Sequence, residues 1–213
     1  MPNGTVIAAF ALASLVLAAT PGPGVLYIVT RTLAQGRRAG LASVAGVALG
    51  NLGNALGASL GLAALLAVST LAFEVVKYAG AAYLVWLGIK ALRAAPVETA
   101  AELDVPAAPR PWIILRDGFF VALLNPKTAL FFAAFLPQFI DPAGSAIAQS
   151  VLFGVAFVVI ATVTDTCYVL AAGLAAPALR QLGSARAFGR YLSAAIYIGL
   201  GVFTAASGSR GAK

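Results

Sequence analysis

The chain has 213 residues, of which 61% are hydrophobic and 10% charged, and its mean hydropathy is +0.95. A soluble domain carries about 25% charged residues, so these charges are too few to cover a solvated surface, and the chain falls in the membrane class. The net charge of +7 comes from basic residues too sparse and scattered for nucleic acid, and no histidine and one cysteine, Cys167, argue against structural zinc, haem and an intrachain disulfide.

A spanning helix needs about 20 apolar residues. Six segments qualify: 4–30, 41–67, 71–92, 118–140, 146–174 and 188–206. The start of the chain lacks the basic region of a signal peptide, and its apolar run continues past Ala19, so it reads as a retained first span.

The first span is interrupted by "AATPGPG" at residues 18–24. A proline in a helix removes one backbone hydrogen bond and frees the carbonyl four residues back. Pro21 frees Leu17, and Pro23 frees Ala19. Lipid cannot satisfy these groups, so the break is expected to face protein or water. Where the helix restarts, its free N–H groups and partial positive charge suit a carboxylate. Thr20, Pro21, Gly22, Pro23 and Gly24 are therefore expected to contribute to a substrate site, with the glycines allowing close backbone approach.

The second span carries Gly46, Gly50, Gly53, Gly57 and Gly61 on one helix face, a packing stripe for a neighbouring helix. Asn51 and Asn54 interleave with it, and Asn54 is assigned to the substrate path. In the third span, Glu74 and Lys77 are three residues apart and read as an interfacial pair. Residues 94–116 form a polar, proline-rich linker.

The fourth span contains "LLNPKTAL", residues 123–130. Pro126 frees the Ala122 carbonyl, and Asn125 and Lys127 join the expected site. Lys127 has three readings: a clamp on a substrate carboxylate, a partner for Asp165, or a side chain snorkelling to the interface. In the fifth span, Asp165 lies mid-membrane, where a charge costs about 2.5–3.5 kcal/mol and usually marks a proton relay, an ion site or a substrate site. It is expected to bind a substrate amine or carry a proton. Tyr168, three residues on, shares its helix face. Trp86, Trp112, Tyr191 and Tyr197 fall near span ends, as interfacial aromatics do.

Ten of the fourteen Lys and Arg residues lie in the first, third and fifth connections, and none in the second or fourth. Lys/Arg-rich connections stay cytoplasmic, which puts both termini outside. Aligning Pro21 with Pro126 gives an offset of 105 residues that carries span two onto span five. The expected fold class is thus an all-α integral membrane protein with six transmembrane helices in two inverted three-helix repeats, 1–93 and 117–213, joined by a cytoplasmic linker. Inverted repeats with breaks at matching positions are a secondary-transporter architecture.

"ATPGPG", "RTLAQGRRAG", "GVALGNLGNALGASLGL", "YLVWLGIKALR" and "GFFVALLNPKTALFFAAFLPQFI" together resemble the LysE/RhtB amino-acid exporter family, the LysE-type translocators, over nearly the whole chain. The resemblance implies a bacterial inner-membrane exporter of amino acids or related metabolites, with no cofactor and no enzymatic activity. It places Pro21 to Gly24 on the family's first motif and Asn125 to Lys127 on its second. The absence of an acidic residue from 118–140 points to neutral, homoserine-, threonine- or leucine-like cargo rather than dibasic amino acids. Efflux of another small solute and a passive channel are the alternatives. The partners expected are the substrate and the bilayer, and a six-span body is small enough to leave room for a homo-oligomer.

Overall fold

The computed structural model describes residues 4–59, 69–93, 110–180 and 185–206. The described elements are α-helices and one 3₁₀ turn: α1 Gly4–Ala19, α2 Pro23–Gln35, α3 Arg37–Ser59, α4 Thr70–Arg93, α5 Pro111–Leu123, α6 Pro126–Ala134, the 3₁₀ turn Leu136–Phe139, α7 Ala146–Arg180 and α8 Ala185–Ala206. Helix is the structure this composition demands, because in lipid each segment must satisfy its own backbone. Gly61 and residues 94–109 of the expected linker lie outside the described residues.

The prolines set the boundaries. Pro23, Pro111 and Pro126 each stand in the first turn of a helix, where the missing N–H costs nothing. The expected first and fourth spans are each two helices, α1 with α2 and α5 with α6, bent by 50° and 52°. Pro177 lies inside α7, which runs on to Arg180 rather than ending near residue 174. Gly36 links α2 to α3 at φ +88°, a conformation that favours glycine.

α3 and α7 are each long and apolar enough to cross a membrane, and each bent pair qualifies as one span. That makes four candidate crossings among the described residues, against the six expected. α3 lies at the centre and packs against α2, α5, α6 and α7, while α4 packs along α8. The glycine stripe explains one of these contacts: a Cβ on Gly46 would meet the Leu115 carbonyl oxygen, and one on Gly50 would lie 2.7 Å from Ala122 Cβ. Only hydrogen at these positions lets α3 and α5 come so close.

Two apolar clusters form the interior. One gathers Tyr27, Ile28, Val44, Val47, Leu84, Val121, Val169 and Tyr197. The other is aromatic, with Phe10, Phe131, Phe132, Phe153 and Phe157. Tyr197 is therefore not an interfacial residue. It is 4% exposed, and its hydroxyl lies 2.6 Å from Thr30 Oγ1. Trp86, Trp112 and Tyr191 are exposed, as a belt requires. Lys77 is buried, with its ammonium 4.5 Å from the Tyr78 ring centre.

Candidate functional site

Each of the three carbonyls freed by proline meets a side-chain donor. Lys127 Nζ donates to Leu17 O at 2.8 Å and to Thr20 O at 2.5 Å. Tyr168 Oη donates to Ala19 O at 2.8 Å, and Asn54 Nδ2 to Ala122 O at 2.9 Å. Lys127 thereby ties the two breaks together. Its ammonium sits on the C-terminal carbonyls of α1, where the helix dipole favours a cation. Of its three expected readings, snorkelling to the interface is replaced by this inward contact.

The breaks meet at a cavity of about 40 Å³. Its lining includes Gly22, Gly24, Asn51, Asn125, Lys127 and Asp165, with Val47 and Ala122 from the first cluster and Phe157 and Ala161 from the second. It therefore lies between the two clusters. Two helix N-termini reach it. Gly24 and Val25 open α2, and Thr128 lies in the first turn of α6, so their N–H groups fall among those without an intrahelical acceptor. Leu26 N–H is already taken by Gly22 O at 2.9 Å, and Lys127 N–H by Asn125 Oδ1 at 3.0 Å. Asn125 is thus a helix cap as well as a lining residue.

Asp165 is 5% exposed and makes no hydrogen bond or ion pair among the described residues. Its carboxylate shares the cavity with the Lys127 ammonium without reaching the 4.0 Å of a salt bridge. Free N–H groups and a cation beside a carboxylate can hold the two charges of a zwitterion. A volume of about 40 Å³ holds a few waters.

The expected site residues divide accordingly. Gly22, Gly24, Asn125, Lys127 and Asp165 line the cavity. Thr20 and Pro21 are exposed beside it, and Thr20 Oγ1 bonds back to Val16 O. Pro23 and Pro126 start α2 and α6, whereas Asn54 and Tyr168, themselves outside the lining, satisfy freed carbonyls. Gly22 faces Lys127: a Cβ there would lie 3.3 Å from Lys127 Cδ. Asn51, Thr128, Phe157 and Ala161 are among the other residues of the wall. Asn51 is the one with a legible signal, being the other asparagine on the glycine-striped helix.

A second polar centre was not legible. Asp117, at the edge of the expected linker, is wholly buried. Arg31 Nη2 reaches its Oδ2 at 3.1 Å and Lys90 Nζ at 3.6 Å, while Arg116 Nη2 reaches Oδ1 at 3.2 Å. Tyr83 Oη donates to Oδ1 at 3.3 Å. Asp165 is therefore not the only buried acid.

The family model of the LysE type translocator matches residues 15–208, which takes in both breaks, Asp117 and Asp165. The chain belongs to the LysE-type translocator family. This translocator is 38% identical over 163 residues to the homoserine/homoserine lactone efflux protein of Salmonella typhimurium, covering 75% of this chain and 77% of the relative. It is 36% identical over 121 residues to the leucine efflux protein of Klebsiella pneumoniae, covering 57% of each. An uncharacterized membrane protein of Vibrio cholerae is 36% identical over 156 residues, covering 71% of this chain and 73% of the relative. No solved structure gives a significant match. The translocator is a multi-pass membrane protein, and its family is one of transporters rather than enzymes.

Proposed function

We propose that this translocator exports neutral amino acids, homoserine-, threonine- or leucine-like, or related metabolites, across the bacterial inner membrane. The reading rests on one observation above all: two bent helix pairs meet at a cavity that holds an uncompensated buried carboxylate, a lysine and open helix N-termini. The efflux proteins for homoserine and leucine among its relatives favour the same cargo. In this reading the substrate carboxylate binds at the N-termini of α2 and α6 beside Lys127. Its ammonium binds Asp165. Gly22 and Gly24 bring backbone close to it.

α4 and α8 complete six crossings with α3, α7 and the two bent pairs. They have 24 and 22 residues, and at about 1.5 Å per residue both exceed the ~30 Å hydrocarbon core. The chain then divides into two inverted units, each opening with a bent pair, with the Lys/Arg-rich connections in the cytoplasm and both termini outside. Rocking of the units exposes the cavity to each side in turn. Asp165 carries a proton in one half of the cycle and the substrate ammonium in the other, which couples export to the proton gradient.

The test is efflux from proteoliposomes loaded with labelled homoserine, threonine, leucine and lysine, with and without an imposed pH gradient. Saturable efflux of the neutral amino acids that accelerates with the gradient is the expected result. Efflux that rises linearly with load and ignores the gradient would instead make the protein a passive channel.

A further inference from the structure

The Asp117 centre lies outside the cavity lining, yet it is wholly buried and joins elements from both halves of the chain. Asp117 is on α5. Arg31 is on α2, and Lys90 and Tyr83 are on α4. Its place along the helices is informative. On α2, Gly24 and Val25 line the cavity, Tyr27 and Ile28 belong to the first apolar cluster, and Arg31 reaches Asp117. On α5 the order from the other end is the same: Asp117, then Val121 in the cluster, then Ala122 at the cavity. Both helices thus pass from site to apolar plug to ion cluster within about two turns. The plug is itself cross-bonded, Tyr27 Oη donating to Ile114 O at 2.7 Å and Tyr197 Oη lying 2.6 Å from Thr30 Oγ1. The aromatic cluster of Phe10, Phe131 and Phe153 closes the opposite side.

We propose that Asp117 with Arg31 and Lys90 is the cytoplasmic gate, an ionic latch between the halves that must part before substrate reaches the cavity. This rests on the exporter reading for its direction, since cargo then loads from the side where the basic connections lie. Three features suit a latch rather than a permanent staple. Lys90 and Arg116 keep 45% and 44% of their side chains exposed. Neither cation is packed in on all sides, so each can swing away from Asp117. Three cations compete for one carboxylate, so partners can exchange without leaving Asp117 bare. Arg31 Nε is buried without a hydrogen-bond partner among the described residues, so the closed arrangement is not fully satisfied. Arg31 and Asp117 are gating residues and touch no substrate in this scheme.

The experiment is sided labelling. In a Cys167→Ser background, a single cysteine replaces Ala161 in the cavity wall. Its rate of reaction with a membrane-impermeant maleimide is measured in inside-out and right-side-out vesicles. Asp117→Asn keeps the shape and removes the charge. It is expected to raise labelling from the cytoplasmic face by about fivefold or more, the range of a modest coupling between states. Labelling from the outer face should stay level or fall, and Asp117→Glu should remain near the parent on both faces. Equal rises on both faces, or no change in a folded protein, would overturn the gate. Should Asp117→Asn fail to accumulate, Lys90→Gln at the half-exposed partner supplies the same comparison, with a smaller rise expected on the cytoplasmic face only. The labelling reads access and not cargo. Sided labelling without amino-acid efflux would defeat the exporter reading alone, and efflux without sided labelling would defeat the gate alone.

Discussion

Replacing Lys127 with methionine isolates what its charge does. The lysine stem packs beside Gly22, where a Cβ would lie 3.3 Å from Cδ, and methionine keeps most of that contact. What is lost is one ammonium and its bonds to Leu17 O and Thr20 O at 2.8 and 2.5 Å. A hydrogen bond from a charged group contributes about 1.5–3 kcal/mol. The two bonds share one half-buried donor, so the loss should be about 2–4 kcal/mol rather than twice the single value. At roughly 2–4 °C per kcal/mol for a chain of this size, the unfolding temperature of purified Lys127→Met in detergent should fall by roughly 5–15 °C. The assay is thermal unfolding without substrate, beside efflux of the same variant. Efflux should also be lost, because the break in α1–α2 no longer holds its angle against α6. If Lys127 acted only on the substrate, the substrate-free protein would unfold at the parent's temperature, and that result would refute the reasoning.

Three further substitutions separate packing from chemistry. Gly46→Val puts a side chain against the Leu115 carbonyl oxygen, which is backbone and cannot rotate away, so it should cost about 3 kcal/mol and reduce the folded protein recovered from membranes. Gly24→Ala is the contrasting case. Its Cβ would sit at an ordinary 3.6 Å from Val47 Cγ1, so thermal unfolding should be unchanged and any loss of efflux reports on the cavity itself. Tyr168→Phe removes only the donor to the exposed Ala19 carbonyl, so stability should fall by about 0.5 kcal/mol and efflux should persist.

The helical class was legible because lipid leaves a continuous apolar chain no other choice, and the prolines of both breaks because their chemistry is local. Pro21, Pro23 and Pro126 even named the three carbonyls that lose the N–H four residues on. The identity of the donors was not legible. Lys127, Tyr168 and Asn54 reach those carbonyls across 110, 149 and 68 residues of chain, and no local pattern encodes such a separation. The same limit hid Asp117. Beside Arg116 and at the end of a polar segment, it reads as a solvated charge until α2 and α4 bring Arg31, Lys90 and Tyr83 to it. Tyr197 misled for the opposite reason: near a span end an aromatic belongs at the interface by rule, yet Thr30 offers it a buried hydroxyl partner. Asp165 was legible by cost alone, since an acid in the middle of an apolar helix has to be kept for something.

The central claim is that substrate sits between the two breaks and touches Asp165. Counterflow of a labelled neutral amino acid in proteoliposomes tests it most directly, with the parent and Asp165→Asn measured side by side at equal amounts of folded protein. Counterflow needs no gradient, so it reads binding and exchange rather than proton coupling. The account predicts saturable counterflow by the parent and its loss in Asp165→Asn, whose amide carries no charge to hold the ammonium. Counterflow by Asp165→Asn at the parent's rate and apparent affinity would contradict it.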